Sequence, residues 1–289
     1  MLTSAVEHYR VQQRITAAAL VQLRRQRYGP LDTLVRTMAA YQVLAARESV
    51  RYFPLMLEEQ GLAADLAAQA IPEALAGAAS DGRSMRGLLE YTRSREVTEQ
   101  AFDLIVSTQL QDVARQGSAI AMGARPTVQG YVRMLNAPSC SRCAILAGQF
   151  YRRNEGFQRH PRCDCRHVPT TRQNAGGLAT EPRQYFDSLT EAEQDRIFTK
   201  SGAEAIRLGA DPAQVVNARR GMGTSQSGRI TRRRGDLVTF EGTGTRAGRA
   251  RMDLSESGGL RLMPESILER AGNDRAEAIR LLKANGYVA

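Results

Sequence analysis

Residues 31–45, LDTLVRTMAAYQVLA, place Leu31, Leu34, Met38, Tyr41 and Ala45 at alternating spacings of three and four. That is the repeat of one face of an α-helix, not the period of two that a strand would show. Upstream, Ile15, Ala19 and Leu23 share a face in the same way, and Tyr28-Gly29-Pro30 separates the two segments. Pro54 should break or kink the second helix, because proline lacks the N–H that the helix ladder needs. Downstream, the alanine-rich run from Leu62 to Ala79 reads as a third helix, bent or ended near Pro72, and Ser80-Asp81-Gly82 reads as a turn. A long helix follows with Phe102, Val106, Leu110 and Val113 as its buried stripe, and Ala124-Arg125-Pro126 closes it.

Composition agrees with a mainly α fold. Of 289 residues 42% are hydrophobic, enough for a core, but only 6% are aromatic and tryptophan is absent. Packing through Ala and Leu is favoured over a β-sandwich. The net charge of +10 points to an acidic partner, nucleic acid first and an acidic protein surface second. Only Lys200 and Lys283 are lysines; every other basic residue is arginine. A GC-rich genome produces that bias unaided, so it is weak evidence for phosphate binding. The N-terminal segment has no signal-peptide layout, and no stretch approaches the ~18–20 apolar residues of a membrane span. The expected setting is the cytosol, where paired cysteines bind metal more often than they oxidise.

The four cysteines fall between Cys140 and Cys165, with two of the three histidines beside them: Cys140-Ser-Arg-Cys143, a spacer containing Gly148 and Gly156, then His160-Pro-Arg-Cys163-Asp-Cys165-Arg-His167. Zinc takes four nitrogen or sulfur ligands in a tetrahedron, and C-x-x-C offers two of them from one tight turn. The spacer is long enough for a small hairpin. Cys140 and Cys143 are the firmest pair, with two more from His160, Cys163 and Cys165. In an extended strand Cys163, Cys165 and His167 share one face, yet His167 is the outsider of the set. A structural Zn2+ is expected. H-E-x-x-H is absent, and the only upstream histidine, His8, is followed by Tyr9 and Arg10 and so lacks the H-x-E of a zinc deaminase. Glu155 and Asp164 have no spacing that recommends them as bases. A Ser-His-Asp triad would have to use His8 or a metal ligand, and a Ser-Lys dyad only Lys200 or Lys283. No catalytic residues are assigned.

Five regions are expected: helices over 1–128, a zinc knuckle over 129–172, short helices over 173–220, a Gly/Arg-rich arm or linker over 221–260, and a helical end over 261–289. Thr190 to Glu193 is a capping box opening a short helix with Ile197 and Phe198, and another helix should run from Asp211-Pro212 to Arg220. The arm carries Arg229, Arg232, Arg233, Arg234, Arg246, Arg249 and Arg251, with few apolar residues to bury. These arginines are the candidate contacts for DNA or an acidic partner.

The segments PSCSRCAILAG (138–148) and RHPRCDCRHVP (159–169) resemble the C-x-x-C…H-x-x-C-x-C-x-x-x-P signature of MuF-like minor head proteins of tailed phages, in the form found in actinobacterial phages and prophages. Gly130-Tyr-Val-Arg133 is similar to the short arginine-bearing strand ahead of that signature. The stretch SLTEAEQDRIFTKSGAEAIRLGADPAQVVNARRGM (188–222) and the end LRLMPESILERAGNDRAEAIRLLKANGYVA (260–289) are similar as well. The likeness is sharp over about 130–222 and near the C-terminus; the N-terminal helices match in character only. His167 departs from the small or β-branched residue usual at its position. The resemblance implies a structural protein of the head interior, several copies per particle, made in the host cytoplasm and associated with portal, major capsid protein or scaffold. Packaged double-stranded DNA is a further expected partner and no membrane is. Relatives are often labelled capsid maturation protease; that, or a zinc-dependent nuclease, is the alternative reading.

Overall fold

The computed structural model describes residues 2–64, 72–79, 82–125, 127–135, 139–153, 155, 165–178, 180–219, 231–233, 235–239 and 260–288. These are mainly helical, with two small sheets. The chain divides into two compact units. One comprises Met1–Ala137 with Ala147–Ala179, and the other Pro138–Leu146 with Thr180–Ala289.

In the first unit α1 (Thr3–Gln26) and α2 (Leu31–Glu58) form a hairpin across Tyr28-Gly29-Pro30. The N-terminus of α1 has no cap of its own. Glu59, just beyond α2, supplies one, accepting from the Thr3 and Ser4 backbone N–H at 2.6 and 2.9 Å and from the Ser4 hydroxyl at 2.6 Å. Burial opposes the Glu59 charge, but the bonds from Ser4 and Thr3 outweigh it and hold the carboxyl below its usual range. Of the break or kink expected at Pro54, the break does not occur, and α2 continues through the proline to Glu58. Phe53, Met56 and Leu57, all buried, flank the proline, and their packing holds the helix together where one backbone bond is lost.

The expected third helix over 62–79 is also corrected at its described ends. Residues 62–64 are not helical and Pro72–Leu75 forms a 3-10 turn; 65–71 lie outside the described residues. Gly82, at φ +82°, donates to the Ala79 carbonyl at 3.0 Å; Ser80 and Asp81 of the expected turn lie outside the described residues. The long helix expected next, with Phe102, Val106, Leu110 and Val113 buried, is α4 (Glu99–Gly123), capped by Thr98; a short helix the periodicity does not announce, α3 (Met85–Tyr91), capped by Ser84, precedes it after a break. Arg27, buried at the end of α1, explains the break. Its guanidinium donates to the carbonyls of Thr92 and Val97 in the α3–α4 connection and lies over the Phe102 ring.

The core contains the residues that the sequence periodicity places on inward faces. Leu23, Leu34, Met38, Leu89, Phe102, Val106 and Leu110 form one cluster, and Ile15, Ala45 and Ala114 another. Gly117 lets α4 approach α2 closely, since a Cβ there would stand 3.0 Å from the Ala46 carbonyl oxygen. A sheet of order β2-β1-β3 completes the unit, from β1 (Gly130–Met134), β2 (Phe150–Arg152) and β3 (Arg166–Thr170), all antiparallel. Val132, Met134 and Val168 pack with Tyr52 and Met56 of α2 and Ala5 of α1. At Gly130 a Cβ would stand 2.0 Å from the Tyr151 carbonyl oxygen and 2.7 Å from the Phe150 ring. Gly130→Ala should therefore destabilise the first unit by about 1–3 kcal/mol, because the clash is with backbone that cannot swing away. Gly176→Ala, with nothing within 4 Å of the added carbon, is the control. Equal urea midpoints for the two variants would refute this account.

In the second unit the capping box at Thr190 is present, with the Glu193 carboxylate reaching back to the Thr190 N–H at 3.0 Å. The helices are α5 (Ser141–Leu146), α6 (Pro182–Asp187), α7 (Glu191–Phe198), α8 (Lys200–Arg207) and α9 (Pro212–Ala218), then α10 (Pro264–Ala271) and α11 (Arg275–Ala284). Asp211 and Asp274 cap α9 and α11 through their carboxylates. Thr199 ends α7 and starts α8 in a single residue at φ 67°, a region costly for a β-branched side chain. Its hydroxyl accepts from the Gly202 N–H at 3.2 Å and from Arg219 at 2.8 Å, which holds it there.

Within the expected arm or linker, the described residues include paired strands. β4 (Thr231–Arg233) and β5 (Asp236–Thr239) form an antiparallel hairpin turned at Gly235, φ +95°, and β5 pairs with β6 (Arg261–Leu262). Val238 is buried, the Leu237 N–H donates to Ser266 of α10 at 2.7 Å, and Arg270 pairs with Asp236. Backbone pairing and docking on α10 give this stretch the order that its few apolar residues do not announce. β6 is in turn fixed by the chain end: the Tyr287 hydroxyl donates to the Leu262 carbonyl at 2.9 Å, and the Arg261 guanidinium lies 3.8 Å from the Tyr287 ring centroid.

Candidate metal centre

The first cysteine pair sits on a firmly held turn. Cys140 precedes α5, and its sulfur accepts a bond from the Cys143 backbone N–H at 3.4 Å while its carbonyl accepts from Ala144 at 3.0 Å. An N–H aimed at the Cys140 sulfur favours negative charge on it. Tyr185 of α6 clamps the residue ahead, its hydroxyl accepting from the Ser139 N–H at 2.8 Å and donating to the Ser139 carbonyl at 3.0 Å. Arg142 reaches Asn217 of α9 at 2.8 Å. Cys143 is buried and Cys140 half-buried.

Cys165 belongs to the first unit, buried at the start of β3. Its carbonyl accepts from the Arg115 guanidinium of α4 at 3.2 Å, and Arg115 is ion-paired with Asp112 at 2.8 Å, both side chains largely buried. His167, two residues on, stacks on Tyr131 of β1 with ring centroids 4.1 Å apart. Tyr131 in turn stacks on Tyr151 and donates to the Glu155 carbonyl at 2.7 Å. The Glu155 carboxylate accepts from the Arg152 backbone N–H at 3.0 Å.

Among the expected ligands, the structure brings Cys140 and Cys143 together. Cys165 and His167 lie in the other unit, and His160 and Cys163 lie outside the described residues. Among the described residues no group of three or more His, Cys, Asp or Glu side chains forms a metal-binding set. Of the candidate arginines, Arg232 and Arg233 are in β4, while Arg229, Arg234, Arg246, Arg249 and Arg251 lie outside the described residues.

Three charged or polar groups near β3 are missed by a reading of the sequence, where polar residues count as surface. They are the Asp112–Arg115 pair, Arg166 (2% exposed) and His8 (2% exposed). His8 Nε2 lies 3.2 Å from both the Ser49 hydroxyl and the Gln12 amide, and Gln12 donates to the Ala45 carbonyl at 2.8 Å. Burial, and then the charge of Arg166, push the His8 pKa down to about 3. The nearest signal in the sequence is the helical spacing of His8 and Gln12, one turn apart and in phase with Ile15 and Ala19.

A helical protein with a small antiparallel sheet and a cysteine turn of this kind is the class that fold and site define. The chain belongs to the VG15 protein family, a family of phage and viral gene proteins, whose family pattern matches residues 4–192. That match runs from α1 to the start of α7 and so covers both the C-x-x-C turn and β3. No curated protein matches the chain, and no solved structure does.

Proposed function

We propose that this protein is a minor head protein of the MuF-like kind, acting in phage capsid assembly at or near the portal inside the head. The observation that carries the reading is the coincidence of VG15 family membership with the C-x-x-C…H-x-x-C-x-C segment inside the matched region. The role is structural rather than enzymatic. The helical N-terminal part docks on portal, major capsid protein or scaffold, and the cysteine segment is held by one Zn2+. The ligands come from Cys140, Cys143, His160, Cys163 and Cys165, with His167, whose ring stacks on Tyr131, the outsider of the set. The Cys140–Cys143 turn fits such an ion, since its sulfur already takes a backbone N–H and its flanks are clamped by Tyr185 and Asn217. Bound zinc would supply cross-linking and no chemistry. The arginines between Arg229 and Arg251 meet packaged DNA or an acidic protein surface. No helix among the described residues is long and apolar enough to cross a membrane.

Two measurements test this. Purified phage heads should contain the chain at several copies per particle, and protein prepared under reducing conditions without chelator should carry one zinc per chain. Cys140→Ser or Cys143→Ser should lose the metal and local order over 130–170, because site formation and folding are coupled. Absence from heads refutes the assembly role; full-length protein without zinc refutes the metal.

A further inference from the structure

The outer face of the α1–α2 hairpin is apolar where a solvated helix pair would be polar. Val21 is 53% exposed and Leu44 41%. With Ala17, Ala18 and Ala40 they line two adjoining depressions of about 640 and 330 Å³, which share Gln22 and Tyr41. The Tyr41 hydroxyl donates to Gln22 Oε1 at 2.9 Å across the floor, so the base is braced from both helices. Small side chains on both walls leave a trough rather than a ridge, and such a trough takes the apolar stripe of a third helix.

Charge selects the occupant. Arg25 lines one depression and Arg36 the other, and no acidic side chain lines either. Among the described residues neither arginine forms an ion pair: Arg36 donates to Thr33, and Asp32 beside it is already engaged by Arg86. A second copy of this chain is a poor fit. It carries a net charge of +10, and self-association through this face would bring the same arginines together. We infer that the trough between α1 and α2 binds an amphipathic helix of another protein, with small or medium apolar residues facing Val21 and Leu44 and carboxylates facing Arg25 and Arg36. This deepens the proposed docking role of the N-terminal helices and rests on it.

The test uses full-length protein and two synthetic helical peptides with the same leucine stripe, one flanked by glutamates and one by lysines. Fluorescence anisotropy should show saturable binding of the glutamate peptide, about tenfold or more tighter than the lysine peptide. Val21→Asp and Leu44→Asp, at exposed positions, should abolish it without lowering Tm. Arg25→Glu with Arg36→Glu should reverse the preference towards the lysine peptide. Equal binding of both peptides, or binding unchanged in Val21→Asp, overturns the inference. So does a concentration-dependent dimer abolished by Val21→Asp, which would assign the trough to a second copy. Counting the chain in heads separates the two readings. Normal incorporation of Val21→Asp sinks the trough and leaves the head role standing. Absence of the parent protein from heads sinks the role, while the peptide arms still judge the trough.

Discussion

Between pH 6.5 and about 3 the first unit should lose roughly 1.4 kcal/mol of stability per pH unit through His8 alone. In the unfolded chain His8 titrates near 6.5, and in the fold at about 3, because burial and then the Arg166 charge disfavour the imidazolium. The folded state thus refuses a proton that the unfolded state accepts. The His8 contribution is complete above pH 6.5, falls as pH drops below it, and levels off near 3. The geometry agrees. An imidazolium presents two N–H donors, and Nδ1 is buried with no hydrogen-bond acceptor among the described residues. The groups around the ring are Ser49 and Tyr52 of α2, Gln12 of its own helix and Arg166 of β3, none of them a carboxylate that would welcome the charge. Urea midpoints at half-unit steps from pH 7 to 5 give the slope in a window above the range where the lowered Glu59 carboxyl begins to protonate. His8→Gln keeps a polar group beside Ser49 and should flatten that slope, at a cost of about 1–2 kcal/mol at pH 7. An equal slope in parent and variant would mean that His8 does not carry the acid sensitivity.

The helices were legible because their information is local. Leu34 and Met38, or Phe102, Val106 and Leu110, lie one turn apart on a single face, and each is buried. Boundaries set by distant contacts were not legible. Pro54 reads as a breaker, but Phe53, Met56 and Leu57 pack the helix on both sides of it. The gap between α3 and α4 is held by Arg27, from 65 and 70 positions upstream. The hairpin of β4 and β5 draws its stability from β6 and Ser266, residues outside the arm. At the cysteine segment, spacing was enough to find the C-x-x-C turn. It could not show that Cys140 and Cys143 pack with the second unit and Cys165 with the first, since no residue in the segment encodes which helices it will meet.

The same blindness to buried charge makes Asp112 and Arg115 the sharpest remaining test. Side by side on α4, their side chains are 11% and 6% exposed, and Arg115 also donates to the Cys165 carbonyl at 3.2 Å. Two charges taken out of water support each other, so removing one takes a buried counter-charge from the other. Asp112→Ala should cost about 3–5 kcal/mol in the first unit, seen by far-UV circular dichroism in urea. Asp112→Leu combined with Arg115→Met should cost less than Asp112→Ala, because apolar packing replaces the pair and no buried ion loses its counter-charge. Arg115→Lys separates the two tasks of the guanidinium. One ammonium can face Asp112, but its single head cannot also span to the Cys165 carbonyl as the forked group does. Stability should largely return, while the amides of β3, Arg166–Thr170, exchange faster with deuterium than in the parent. A double variant at least as unstable as Asp112→Ala would refute this account. Unchanged exchange in Arg115→Lys would show that the strand is held in place without Arg115.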